Sequence, residues 1–335
     1  MAIKMRRLGN TTLQISEIAF GGASIGNLYH TCTDEAANDT IKTCYNLGIR
    51  YFDTAPEYGH GLSERRLGDT LRIYPRDSYI VSTKVGDLLY AHHDRLPIEN
   101  KFVNKLPFHL RFDYSYDGIM RAFEDSLQRL GLHRIDMLLV HDLDDIVHDE
   151  TIFQAHYKMY SESGYKALDK LRNEKAVQAI GLGVKKWEVC HAAMQHGNYD
   201  CFMLQGNYTL LEQSALDNFM ETCRKKQISI LLAGPYASGI LATGAIKDAY
   251  FNHRKAAKSI LQRVRKIEEV CAAYHVPLPA VAIQFPLRHS AVASVVVGAA
   301  SPELMRKNIA YAKMDLPDSL WDALKSENLI PQHAP

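Results

Sequence analysis

A (β/α)8 barrel is the fold that this sequence of 335 residues predicts, and three observations lead to it. Eight short apolar runs alternate with stretches of helical periodicity, the order in which strands and helices layer around a parallel barrel. Three successive runs end in the titratable residues Asp53, Lys84 and His141, and barrels of this kind carry their chemistry at the carboxyl ends of the strands. The runner-up is a doubly wound open sheet. Against it, no Gly-x-Gly-x-x-Gly follows an early strand, and Gly21-Gly22-Ala23-Ser24-Ile25-Gly26 has a different spacing. One barrel accounts for most of such a length, so residues 1–335 are read as a single domain.

Residues 3–16 form two alternating runs around Leu8-Gly9-Asn10-Thr11, a hairpin that precedes the first barrel strand and caps the bottom of the barrel. Ile18 to Phe20 is that strand. Thr33 caps a helix with Ile41, Cys44 and Tyr45 on one face, and Gly48 stops it. Ile49 to Phe52 delivers Asp53, and Ala55-Pro56 prevents a smooth run into the helix from Ser63 to Leu71. Tyr79 to Thr83 delivers Lys84, a helix spans Asp117 to Leu130, and Ile135 to Val140 delivers His141. A helix through Tyr165 to Arg172, a strand from Val177 to Val184 and a helix from Lys186 to His196 follow. Cys201 to Leu204 leads to Gln205, Leu216, Phe219, Met220 and Cys223 form a helical stripe, and Ile228 to Ala233 is the next strand. A long helix carries Ile260 to Tyr274, Pro279 starts another, and Val295 to Val297 is the last strand. The connections Gly86–Asp113 and Gly234 to about Lys255 exceed simple βα loops. The first holds Tyr90, His92, His93, Phe102, Phe108 and Phe112, aromatics suited to walling a substrate pocket.

With 39 basic and 38 acidic side chains and no basic run interleaved with aromatics, the sequence offers no footprint for nucleic acid or an anionic membrane. No apolar region follows the basic start, and no stretch approaches about 18 apolar residues, so a soluble, unexported, cytoplasmic protein is expected. The six cysteines form no CxxC pair and read as reduced core thiols.

Asp53, Tyr58, Lys84 and His141, from the second, third and fourth strands, would be neighbours. A phenol with an ordinary pKa of about 10 is a poor base, but an adjacent ammonium favours its ionised form, so Lys84 is expected to lower the pKa of Tyr58. Asp53 would hold Lys84 in place and charged, and His141 can exchange a hydrogen bond with the substrate oxygen. This is a proton-transfer device for an alcohol or carbonyl. A metal-dependent hydrolase using His141 with Asp142, Asp144, Asp145, His148 and Asp149 is the competing reading, weakened by the lack of a His-x-His strand end.

The segments Asp53-Thr54-Ala55-Pro56-Glu57-Tyr58-Gly59, Ser82-Thr83-Lys84, and Asp136 through His141 followed by Asp142 resemble, in order, the motifs of the aldo-keto reductases. The resemblance covers nearly the whole chain. It implies an (α/β)8 barrel using NAD(P)(H), with Tyr58 as general acid/base supported by Lys84, Asp53 and His141. It also implies that Gln205 contacts the nicotinamide amide. Gly234-Pro235-Tyr236-Ala237-Ser238-Gly239-Ile240-Leu241 would cover the pyrophosphate, and Gly298 to Asn308, with Ser301, would hold the adenosine end. Two departures stand out. Gly181-Leu182-Gly183-Val184-Lys185-Lys186-Trp187 replaces a Ser-Asn found in many members, so Gly183 meets the cofactor without a side chain, and Ala233 stands where an aromatic commonly stacks. Members preferring NADP supply a Lys at the place of Gly298 and an Arg at that of Leu304. NAD is therefore expected as the preferred cofactor, with NADP usable through Arg306 or Lys307.

Within the family, the segments ahead of Trp187, around Tyr236 and around Tyr58 are most similar to dehydrogenases of D-threo-aldoses, and next to pyridoxal dehydrogenases. The implied function is oxidation of the C1 hydroxyl of an aldose, of L-fucose, D-arabinose or L-galactose type, to the lactone. Pyridoxal oxidation or general aldehyde and ketone reduction is the alternative, and a nucleotide-sensing regulatory subunit a further one. The implied partner is a small sugar or aldehyde, and the implied state a monomer or small homo-oligomer.

Overall fold

The computed structural model describes residues 3–91, 101–252 and 254–335. Eight parallel strands close into a barrel in chain order: β1 (Ile18–Gly21), β2 (Tyr51–Asp53), β3 (Ile80–Val85), β4 (Met137–His141), β5 (Ala179–Val184), β6 (Cys201–Gln205), β7 (Ser229–Ala233) and β8 (Val292–Gly298). β8 returns to β1 by pairing Gly298 with Gly21. All eight expected strands are present. β8 begins three residues earlier than the Val-rich core suggested.

Side chains alternate between the two faces of a strand, so register decides what enters the barrel. Asp53 pairs with Ser82, Lys84 with Leu139, and His141 with Gly183. Those pairings place Tyr51 and Asp53, then Ser82 and Lys84, then Leu139 and His141 on one inward-facing surface. Lower rows are apolar: Ala19, Met137, Leu139, Ala179, Cys201, Met203 and Leu231 pack inside the barrel with Leu8, Leu13 and Ile15. The last three belong to the expected hairpin, whose strands Met5–Arg7 and Gln14–Ser16 pair antiparallel. Gly9 N–H donates to Ser229 Oγ at 2.7 Å, at the start of β7, which fixes the hairpin across the amino end. The carboxyl end is thereby left as the open one.

Helices wrap the outside and end where their caps dictate. Thr33 accepts from Ala36 N–H at the start of Asp34–Asn46, and Ser115 accepts from Gly118 N–H at the start of Tyr116–Leu130. Two of the longer helices escaped the sequence reading. Glu150–Met159 runs through a π turn at Tyr160–Gly164 into Tyr165–Asn173, and Asp318–Ser326 packs Leu320, Trp321 and Leu324 near the carboxyl terminus. Both long connections carry structure. Asp87–Ala91 and Phe108–Phe112 pair as an antiparallel hairpin beyond β3, while a short helix, Ile240–Thr243, and the small hairpin Tyr250–Phe251 with Arg254–Lys255 follow β7. Among the described residues, no single helix is long and apolar enough to cross a membrane.

Candidate active site

At the carboxyl end of the barrel a pocket is lined by Tyr58, Lys84, His141, Asp142, Gly183, Val184, Met203, Gln205 and Ala233. Most of these are the last inward-facing residues of β3 through β7. Barrel closure brings the four expected groups together as well: Lys84 Nζ donates to Asp53 Oδ1 and Oδ2, each at 2.7 Å, and to the Thr54 carbonyl at 3.0 Å. All three donors of the ammonium are used. Ser82 donates to Asp53 Oδ1 at 2.6 Å and exchanges a 2.9 Å bond with Tyr51, so the carboxylate is held from below too. The Tyr58 ring lies over this pair, with Lys84 Nζ 5.4 Å from its centroid and the His141 ring edge-on at 5.7 Å.

The expected lowering of the Tyr58 pKa is corrected by this geometry. Burial pushes the phenol well above its ordinary value, and the charges of Asp53, Glu57, Asp142 and Asp87 push it further. Lys84 does not counter them because its charge is matched by Asp53 at hydrogen-bond distance. In the protein alone, Tyr58 is held as a proton donor.

Three charged partners were missed. Asp87, 1% exposed, accepts from His141 Nδ1 at 2.5 Å. Lys185 holds both oxygens of Asp142 at 3.1 Å, and Lys101 holds Glu57 at 2.7 Å. Burial works against a charge on His141, but Asp87 and then Asp142 outweigh it and raise its pKa. Asp142 is lowered to about 2: burial opposes this, and His141, Lys185 and Lys101 overcome it. Asp87 lay in a stretch read as a loop, and its only signal was the Val85-Gly86 step out of the strand. Gly86 has φ +99°, a turn that returns the chain over the barrel mouth.

Of the aromatics expected to wall the pocket, Phe102 packs on Tyr58 with ring centroids 5.8 Å apart. Phe112 instead stacks on Tyr114 and meets His148 edge-on. His92 and His93 lie outside the described residues. The acidic run is taken up by its own loop, by the segment after β5 and by Tyr114. Asp144 accepts from the backbone of Ile146, Val147 and Lys185, Asp145 pairs with Lys186 at 2.6 Å, and His148 bonds Tyr114 at 3.2 Å. Glu57, His141 and Asp142 offer ligand atoms within 4.8 Å of one another, yet each carboxylate already faces an ammonium.

The residues that the resemblance assigns to a nicotinamide dinucleotide lie at the carboxyl ends of β5 to β8 and in the segments that follow. Gln205 is exposed at the end of β6, directly beside the pocket, and a Cβ at Gly183 would come within 3.1 Å of Lys84 Cε, so a side chain there would press on the ammonium's stem. Beyond β7 the loop holding Gly234, Pro235, Tyr236, Ser238 and Gly239 has positive φ at Gly234, Ala237, Ser238 and Gly239, and leaves Gly234 and Ser238 exposed. Leu241 is buried and anchors the short helix that follows. Gly298 is exposed at the end of β8, and Ser301 caps the helix Pro302–Ala312 by accepting from Leu304 N–H at 3.3 Å. Asn308 is mostly buried and accepts from the Tyr236 hydroxyl at 2.8 Å, which joins the two segments across the cleft.

A model of the aldo/keto reductase family matches residues 17–328. The chain is 38% identical over 339 residues to pyridoxal 4-dehydrogenase from Microbacterium luteolum, covering 98% of each. It is also 38% identical over 326 residues to D-threo-aldose 1-dehydrogenase from a Pseudomonas species, covering 95% of this chain and 96% of the relative. Glycerol dehydrogenase from Gluconobacter oxydans shares the fold, with a TM-score of 0.78 at 22% identity over 100% of this chain and 97% of that one. An aldo-keto reductase from Bacillus halodurans in its holo form does so with a TM-score of 0.75 at 24% identity, over 99% and 100%. A match that runs through all eight strands, joined to two relatives aligned almost end to end, places this chain in the aldo/keto reductase family.

Proposed function

We propose that the protein is an NAD(P)-dependent dehydrogenase that oxidises the C1 hydroxyl of an aldose to the lactone, with Tyr58 as general acid/base. The observation that carries this reading is the convergence of Tyr58, Lys84 and His141 on one pocket above the buried Asp53–Lys84 pair. Hydride acceptance or supply is the chemistry a nicotinamide would bring when bound, together with the positive charge of its oxidised ring. Gln205, Gly183, the 234–241 loop and the segment from Gly298 to Asn308 would hold it. In oxidation the hydroxyl proton passes to Tyr58 as the C1 hydrogen leaves with its electron pair. Tyr58 must therefore start ionised. Because burial and four carboxylates raise its pKa, oxidation should accelerate as pH rises from neutral into the alkaline range.

The substrates named for the two 38% relatives share a chemistry: an aldose and pyridoxal both close an aldehyde onto an internal hydroxyl, giving a cyclic hemiacetal. Pyridoxal oxidation is thus the second reading of the same pocket. The deciding experiment follows reduced nicotinamide with L-fucose, D-arabinose, L-galactose, pyridoxal and simple aldehydes. Turnover of the aldoses that drops by about 10²-fold or more in Tyr58→Phe, with the fold intact by circular dichroism, is the expected result. Turnover of pyridoxal alone selects the second reading, and no turnover of any leaves only a nucleotide-binding role.

NAD should be preferred over NADP. A 2′-phosphate calls for a forked or charged donor, and Gly298 and the exposed Leu304 supply none. Loss of one or two charge-assisted bonds gives a preference of roughly ten- to a hundredfold in kcat/KM. A preference for NADP that Arg306→Ala reverses would show that Arg306, exposed on the same helix, is the phosphate ligand.

A further inference from the structure

His141 is held on three sides. The Tyr114 hydroxyl donates to its carbonyl at 2.9 Å, its backbone pairs with Gly183, and Asp87 Oδ2 meets Nδ1 at 2.5 Å. A carboxylate only accepts, so Nδ1 must carry hydrogen and Nε2 is the atom left for the pocket. A neutral ring in that state presents Nε2 as a bare acceptor. Only the imidazolium can donate from Nε2 to a carbonyl or alkoxide oxygen. Asp87 is 1% exposed, and its second oxygen, Oδ1, is buried without a hydrogen-bond partner among the described residues. The proton on His141 is therefore the main compensation for the Asp87 charge.

We propose that Asp87 is a positioning residue for the reaction, fixing the His141 ring and keeping it doubly protonated, so that Nε2 works as a charged donor to the substrate oxygen. The surroundings agree. Facing His141 are Glu57 and Tyr58 from the segment after β2, Lys84 at the end of β3, Asp87 beyond it, Asp142 beside it and Lys101 from the long connection, with Lys185 behind Asp142 and His148 behind Tyr114. Glu57 and Asp142 each form an ion pair with a lysine, whereas among the described residues the ion-pair partner of Asp87 is His141, with Lys101 acting on it from farther off. Asp87 is thus the neighbour whose charge acts most strongly on the ring, which fits the raised pKa of His141.

This inference rests on the reading of the pocket as a carbonyl–alcohol site, but its first test needs no turnover. The ring resonances of His141 are followed by NMR against pH in the full-length enzyme saturated with nicotinamide cofactor. His141 should remain doubly protonated past the ordinary imidazole pKa of about 6.5. In Asp87→Asn it should lose a proton at lower pH by about one unit or more. A wild-type His141 already neutral at pH 7, or one that titrates alike in both proteins, overturns the proposal. The wild-type titration alone decides if Asp87→Asn does not fold. The second test is kinetic. Asp87→Asn should lower kcat for aldehyde reduction by about tenfold or more and move the alkaline limb of its pH profile to lower pH, and should cost little further in a His141→Asn background. Equal losses in both backgrounds would make Asp87 a structural residue and defeat the proposal.

Discussion

Lys84 is 1% exposed and spends all three hydrogens, two on Asp53 and one on the Thr54 carbonyl. Breaking such a pair from one side leaves a buried charge uncompensated, which costs about 3–5 kcal/mol, although the intact pair need not stabilise the fold by that amount. Lys84→Met should accordingly lower stability by about that much in urea titration while abolishing most turnover. A variant with native stability and activity would remove Lys84 from both roles. The residue identities of this pair were legible in the sequence because both sit at strand ends. What the sequence did not contain was the balance between them. The ammonium was expected to lower the Tyr58 pKa, and only the 2.7 Å contacts on both Asp53 oxygens show why the carboxylates prevail instead.

At the scale of elements, legibility followed burial. Strands such as Met137–His141 are buried throughout and read as apolar runs. The helix Glu150–Met159 has no fully buried residue, and its stripe is short: Phe153 and Tyr157 lie half-buried against the core, while Ile152 and Met159 are exposed. Asp318–Ser326 does bury Leu320, Trp321 and Leu324, a spacing that could have revealed it. The hairpin beyond β3 was hidden for another reason: its polar lead residue, Asp87, points to chemistry rather than to a strand. Gly86 is the hinge that places it, and a Cβ there would strike the Tyr114 ring. Gly86→Ala forces φ +99° on an L residue, a cost of about 1–2 kcal/mol before the clash is counted. The expected outcome is a lower melting temperature together with a fall in kcat of about tenfold, measured well below that temperature, as Asp87 is drawn off His141. Full activity in a folded Gly86→Ala enzyme would show that the hairpin tolerates the shift.

For the molecule as a whole, the site makes stability depend on pH from both sides. Asp142, at about 2 in the folded protein against about 3.9 in an unfolded chain, contributes stability present above the higher value and lost as pH falls towards the lower. That contribution is about 2–3 kcal/mol. His141 has the opposite sign. Its raised pKa contributes stability fully present below about 6.5 and lost as pH climbs through the folded value. Denaturant midpoints should peak between these limits, and Asp142→Asn should flatten the acid limb. An acid limb of unchanged steepness in that variant would assign it to other carboxylates.

The close approach of Gly183 to Lys84 sets terms for how this molecule can diverge. Lys84 lies on β3 and Gly183 on β5, with β4 between them, and the Cβ that would crowd the Lys84 stem belongs to neither neighbour in sequence. Loops at the mouth can lengthen, shorten or exchange their aromatics under selection for a new substrate, each change local to its own segment. A side chain at position 183 is a different kind of event, since its Cβ, 3.1 Å from Lys84 Cε, asks the lysine stem two strands away to give by a few tenths of an ångström. Change at this position is therefore coupled to where the Lys84 ammonium sits, whereas change at the rim is not.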